Sequence, residues 1–140
     1  MRKTKLLWIA LFALLMLAVF MPTEVKAETH EIYTYTVEDG KATVVGCQTS
    51  VSGHIAVPST MGGYPVTTIG AKAFDSSALR IVHIPKSVTL IESDAFNKAI
   101  YVSMVHIDDF ASWCNIEFDS ITANPFNTND SSTNRWFYID

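Results

Sequence analysis

The chain has 140 residues, of which 49% are hydrophobic and 17% charged, with a net charge of −4. Without the N-terminal 27 residues, 113 remain, carrying six Lys+Arg against 13 Asp+Glu, a net charge of −7. That length holds one domain, and that charge argues against nucleic acid or anionic lipid as a partner, since both need a basic face.

Arg2, Lys3 and Lys5 precede an uncharged apolar run from Leu6 to Met21, which Pro22 breaks. Val25-Lys26-Ala27 then offers small residues around a cleavage point. This is the layout of a secretory signal peptide over residues 1–27, cut after Ala27. The run of 16 residues is shorter than the roughly 18 that favour a spanning helix, so no stable membrane span is expected once it is removed. No Cys stands directly after the cut, which leaves an N-terminal lipid anchor without support.

Residues 28–52 read as a capping β-hairpin. Ile32, Tyr33, Tyr35 and Val37 form a β-rich stretch, Asp39-Gly40 makes the turn, and Ala42 to Val45 return. Residues 53–107 read as repeats. Gly53 to Pro58 is the first ladder strand, with Ile55 and Val57 alternating. Ala71 to Phe74 fits one helical or 3-10 turn, Ala78 to Ile84 the second strand, Asp94 to Asn97 a second turn, and Tyr101 to Ile107 the third strand. Residues 108–140 read as a variant or incomplete C-terminal unit. Asp108 to Cys114 has the character of a helix start, Ile116 and Phe118 of a short strand, and Arg135 to Ile139 is β-rich again.

The chain says nearly the same thing twice. Ile69, Ala73, Phe74, Leu79, Val82 and Ile84 return as Ile91, Ala95, Phe96, Val102, Val105 and Ile107, offset by 22 and then 23 residues. A period of that size marks a solenoid, in which each unit is too small to bury its own apolar face and stacks on the next. In the strands Val82 and Ile84 point inward and Ile81 and His83 outward; Val105 and Ile107 match the first pair and His106 matches His83. The chain stops on an aromatic strand with no obvious cap, so it reads as the N-terminal fragment of a longer repeat protein.

Ile81, His83 and His106 are the candidate residues of a ligand-binding face. His83 and His106 would lie roughly 5 Å apart on the outer sheet surface. Two imidazoles at that distance are able to bind a metal or form a pH-sensitive patch, with Asp108 as a third ligand. Two His without a clear third ligand rarely make a dedicated site, so exposed strand positions that tolerate His are favoured, and no metal or other cofactor is assigned. Asp108, Asp109, Glu117 and Asp119 lack the spacing of a calcium loop and read as a solvated acidic face. No Gly-x-Ser-x-Gly or comparable nucleophile setting occurs, so no catalytic residue is assigned. Cys47 and Cys114, 67 positions apart, are expected as two buried thiols rather than a disulfide. Asn129-Asp130-Ser131 fits a glycosylation acceptor. Trp113, Trp136, Phe137 and Tyr138 are expected to pack near the C-terminal end.

Val66-Thr67-Thr68-Ile69-Gly70-x-x-Ala73-Phe74 and Val82-His83-Ile84-Pro85-x-x-Val88-Thr89-x-Ile91 resemble the BspA-type leucine-rich repeat of bacterial surface proteins. The pattern covers about residues 53–107. Ile107 to Phe126 resembles a longer variant unit that, in such arrays, precedes more repeats. The departures are Glu92 where Gly is usual, Asp108 where Pro is usual, and one extra residue between Phe96 and Val102. The resemblance implies a mainly-β leucine-rich-repeat solenoid with parallel strands on its concave face and short helical or 3-10 turns. It also implies a secreted or cell-surface protein without enzymatic activity, which binds host matrix or bacterial surface proteins in adhesion. The alternative is a truncated N-terminal fragment with a structural role only.

Overall fold

The computed structural model describes residues 25–48, 52–74, 78–126 and 136–139. Its strands are β1 (Ala27–His30), β2 (Tyr33–Glu38), β3 (Lys41–Cys47), β4 (Gly53–Ala56), β5 (Thr60–Met61), β6 (Tyr64–Ile69), β7 (Leu79–Ile84), β8 (Leu90–Ile91), β9 (Met104–Ile107), β10 (Glu117–Phe118) and β11 (Trp136–Ile139). One short helix, α1 (Phe110–Cys114), and a 3-10 turn at Ile121–Ala123 complete the described elements. The apolar run Leu6–Met21, the linker Asp75–Ser77 and the acceptor Asn129-Asp130-Ser131 lie outside the described residues.

The chain winds in coils, each giving one strand to each of two sheets. The first sheet runs β1-β2-β3-β6-β8-β10 and the second β11-β9-β7-β4. β3, β6, β8 and β10 pair in parallel, as do β4, β7, β9 and β11. The 23-residue repeat is the register between β7 and β9 in the second sheet: Val82 pairs with Val105, His83 with His106 and Ile84 with Ile107. The 22-residue repeat is the register between β6 and β8 in the first sheet, where Ile69 pairs with Ile91. Sequence reasoning found the second ladder and missed the first as a sheet. β8 and β10 are two residues each, too short for alternation to show.

The inward columns are closed. Val82, Val105, Ile69 and Ile91 have no exposed surface, and Ile84 and Ile107 keep 2%. Phe74 and Phe96 stack with ring centroids 5.0 Å apart at 21°, and Tyr33 meets Phe74 edge-on at 6.4 Å. The turns bearing these rings are copies of each other. Ala73 N donates to Gly70 O and Ala95 N to Glu92 O, both at 3.2 Å. Lys72 and Asp94, 22 residues apart, both take positive φ (59° and 62°). The departure at Glu92 has a local use, since its Oε2 accepts from Ala71 N at 2.9 Å in the preceding coil. The equivalent Gly70 cannot be replaced so freely: a Cβ there would sit 2.9 Å from Val44 O.

The hairpin closes the N-terminal end, but it is larger than expected. β1 adds a third antiparallel strand, and β3 belongs to the ladder rather than standing before it. The Asp39-Gly40 turn forms as read, with φ of 49° and 71°. Tyr33, 2% exposed, donates its hydroxyl to Ala56 O at 2.6 Å and so ties the hairpin to β4. Two expectations are corrected. Tyr101 to Ser103 are not strand, because a turn from Ala99 O to Val102 N takes up the extra residue. The thiols are not both buried: Cys47 is half-buried against the core, whereas Cys114 ends α1 on an exposed face.

Candidate binding face

Strand alternation sets the outer face of the second sheet. Ile55, Val82 and Val105 point into the core, so their neighbours point away. Two outward rows cross the sheet. One runs His54, Ile81, Met104, Trp136 and the other Ala56, His83, His106, Tyr138. Ile81, His83 and His106 thus fall on one face, as the sequence indicates, with Ile81 in the row beside the two histidines.

The rings along this face touch in series. His106 lies 6.5 Å from His83, 5.6 Å from His54 and 4.8 Å from Tyr138, centroid to centroid. His106 Nε2 also approaches Met104 Sδ at 3.1 Å. His54 and Met104 were missed in the sequence, and Tyr138 was assigned to packing at the C-terminal end. The alternation of Ile55 and Val57 already puts His54 outward. Its diagonal approach to His106 depends on a register shift between Gly53 and His54 that no spacing reveals. Tyr138 carries the 32-residue offset of the last coil, well away from the 23 of the previous one.

Asp108 turns towards this face from the end of β9. Its Oδ1 lies 2.9 Å from His83 Nε2, and its Oδ2 accepts from Lys86 N at 2.9 Å. The Lys86 amide, then His83, hold its carboxyl below its ordinary value. Two further carboxylates of this set are held by hydroxyls and an amide away from the face. Asp109 caps α1, accepting from Ser112 N at 2.7 Å and Ser112 Oγ at 2.6 Å; Asp119 Oδ2 accepts from Ser93 Oγ at 3.3 Å. Among the described residues no three His, Cys, Asp or Glu side chains converge to hold a metal ion.

The C-terminal aromatics divide. Trp113 is half-buried and meets Phe118, Phe126 and Phe137 edge-on, at 5.4, 6.3 and 5.1 Å. Trp136, Phe137 and Tyr138 keep 63%, 43% and 53% of their surface, so packing absorbs only part of this set. Beside them Phe118, Ser120, Ile121, Asn124 and Phe126 line a groove of about 460 Å³. Among the described residues no helix is long and apolar enough to cross a membrane.

No protein-family model matches the chain, and no curated protein matches it. Solved structures do. A leucine-rich cell-surface protein from Faecalibacterium prausnitzii is 29% identical with a TM-score of 0.52, over 60% of this chain and 24% of that one. A leucine-rich repeat protein from Bacteroides capillosus is 26% identical with a TM-score of 0.55, over 81% of this chain and 98% of that one. This chain therefore spans about a quarter of the first relative and nearly all of the second. Two parallel ladders, with repeat registers of 22 residues between β6 and β8 and 23 between β7 and β9, and a fold similar to those two bacterial proteins make this chain a leucine-rich-repeat solenoid.

Proposed function

We propose that this is an exported, non-enzymatic protein of the BspA-type group, which binds protein ligands at the cell surface through the outer face of its second sheet. Ile81, His83 and His106 contribute to that face, with His54, Met104 and Tyr138 around them. In this reading residues 1–27 are a signal peptide cut after Ala27, 28–52 the cap, 53–107 the repeats and 108–140 a variant unit. The partners are host matrix or bacterial surface proteins, and the contact serves adhesion. The carrying observation is the pair of outward rows across four parallel strands. A regular surface of that kind suits an extended protein better than a small molecule.

The test is saturable binding of the exported chain to immobilised matrix proteins and to whole bacterial cells. Binding that weakens in Ile81→Asp and His106→Ala supports the face; no saturable binding to either target refutes the function. One observation favours the second reading, an N-terminal fragment of a longer repeat protein with a structural role. Phe137 and Ile139 continue the inward columns of Val105 and Ile107 yet are 43% and 52% exposed. Further units of the Ile-Gly-x-x-Ala-Phe type in the downstream reading frame would decide for it.

A further inference from the structure

Cleavage after Ala27 would leave Glu28-Thr29-His30 at the start of the mature chain. This inference rests on the signal peptide proposed above. A histidine at the third position of a free N-terminus has a specific chemistry. The α-amine, the amide nitrogens of residues two and three and the imidazole Nδ1 of residue three form three fused chelate rings around one ion. Four nitrogens in a plane select Cu2+ or Ni2+, and of the two Cu2+ binds more tightly. We propose that export creates a Cu2+ site from the Glu28 α-amine, the Thr29 and His30 amides and the His30 imidazole.

The residue types permit it. Neither Thr29 nor His30 is proline, so both amides carry a proton that the ion can replace. Binding releases those two protons, and the ammonium proton wherever the amine is still charged; no electron is transferred. The imidazole binds in its neutral form.

The fold places the segment where this can happen. Among the described residues β1 is the outermost strand of the first sheet and pairs only with β2. Ala27, Glu28 and Thr29 are exposed, and His30 is half-buried. Loss of Ala27 removes its pairing with Thr36 and leaves Glu28, opposite Tyr35, as the first rung. The extended strand is not itself the metal-bound form. A square of nitrogens around one ion needs neighbours roughly 2.8 Å apart, which successive backbone nitrogens reach only when ψ turns towards zero. In the ladder, successive N–H groups point to opposite edges. Glu28 to His30 must therefore swing out of the sheet to bind. At an edge strand this disturbs the pairing with β2 and the Tyr35 hydroxyl, which donates to Glu28 Oε2 at 2.8 Å, and leaves the coils intact. The buried columns contain no residue of β1.

The experiment uses protein exported with its own leader, its first residue identified by N-terminal sequencing, and Cu2+ as the probe. One equivalent should give the visible band and nitrogen hyperfine splitting of a square-planar four-nitrogen complex. His30→Ala should abolish both. So should one extra Gly ahead of Glu28, which keeps every side chain but moves His30 to the fourth position. His54→Ala and His106→Ala should change neither. An exported chain beginning anywhere but Glu28 overturns the proposal through its cleavage step. A verified Glu28 terminus without a four-nitrogen complex, or a complex that survives the added Gly, overturns the site itself.

Discussion

Phe96→Ala tests whether stacked coils hold this molecule together. Phe96 is 3% exposed, and its ring lies 5.0 Å from Phe74, nearly parallel to it. Truncating such a ring costs about 3–5 kcal/mol, combining lost transfer energy with the cavity left behind. A domain of this size has roughly 5–15 kcal/mol in total, so the change removes a large share of it. The shift in melting temperature should be about 12 °C or more, at roughly 4 °C or more per kcal/mol. The assay is urea and thermal unfolding followed by tryptophan fluorescence and circular dichroism. A double-mutant cycle with Phe74→Ala separates stacking from simple burial. The pair should show a coupling of about 0.5–1.5 kcal/mol beyond area burial. A shift below about 4 °C for Phe96→Ala, which is near 1 kcal/mol, or additive single mutants, would refute the stacked column.

Gly70→Ala drives a Cβ against Val44 O and should cost about 1–3 kcal/mol; a neutral result in urea unfolding would show that the coils can separate there at no cost. Burial, with smaller contributions from Cys47 and Glu31, pushes the Tyr33 phenol far above its ordinary value of 10.0. The unfolded chain ionises this group first, so its stabilisation is full below pH 10 and falls by about 1.4 kcal/mol per pH unit above it. Tyr33→Phe should flatten that alkaline slope, and an unchanged slope would show that Tyr33 is not the group responsible. Asp108 has the opposite sign. Its carboxyl is lowered from 3.8, first by the Lys86 amide and then by His83, so its stabilisation is present above that value and lost as pH falls through the folded one. Asp108→Asn should remove this acid-sensitive part of the unfolding profile, and an identical acid limb in both proteins would refute the assignment.

The repeat was legible because inward strand positions tolerate only apolar residues, so Val82/Val105 and Ile84/Ile107 recur at a fixed spacing. The paired Ala-Phe turns recur for the same reason, their rings having nowhere to go but against each other. The helix start at Asp109 was legible from a local rule, a carboxylate capping the amide of Ser112. The outward face was only half legible. His83 and His106 share the repeat offset, whereas His54 and Tyr138 join them through a register shift and a coil of different length. The first sheet was hidden because two-residue strands carry no pattern of their own, and the exposure of Cys114 because it depends on which side of α1 the next coil covers. Local chemistry, written residue by residue, determined the period, the turns and the inward columns. Register, diagonal contacts and coverage at the coil ends are relations between segments far apart in the chain, and only stacking fixed them.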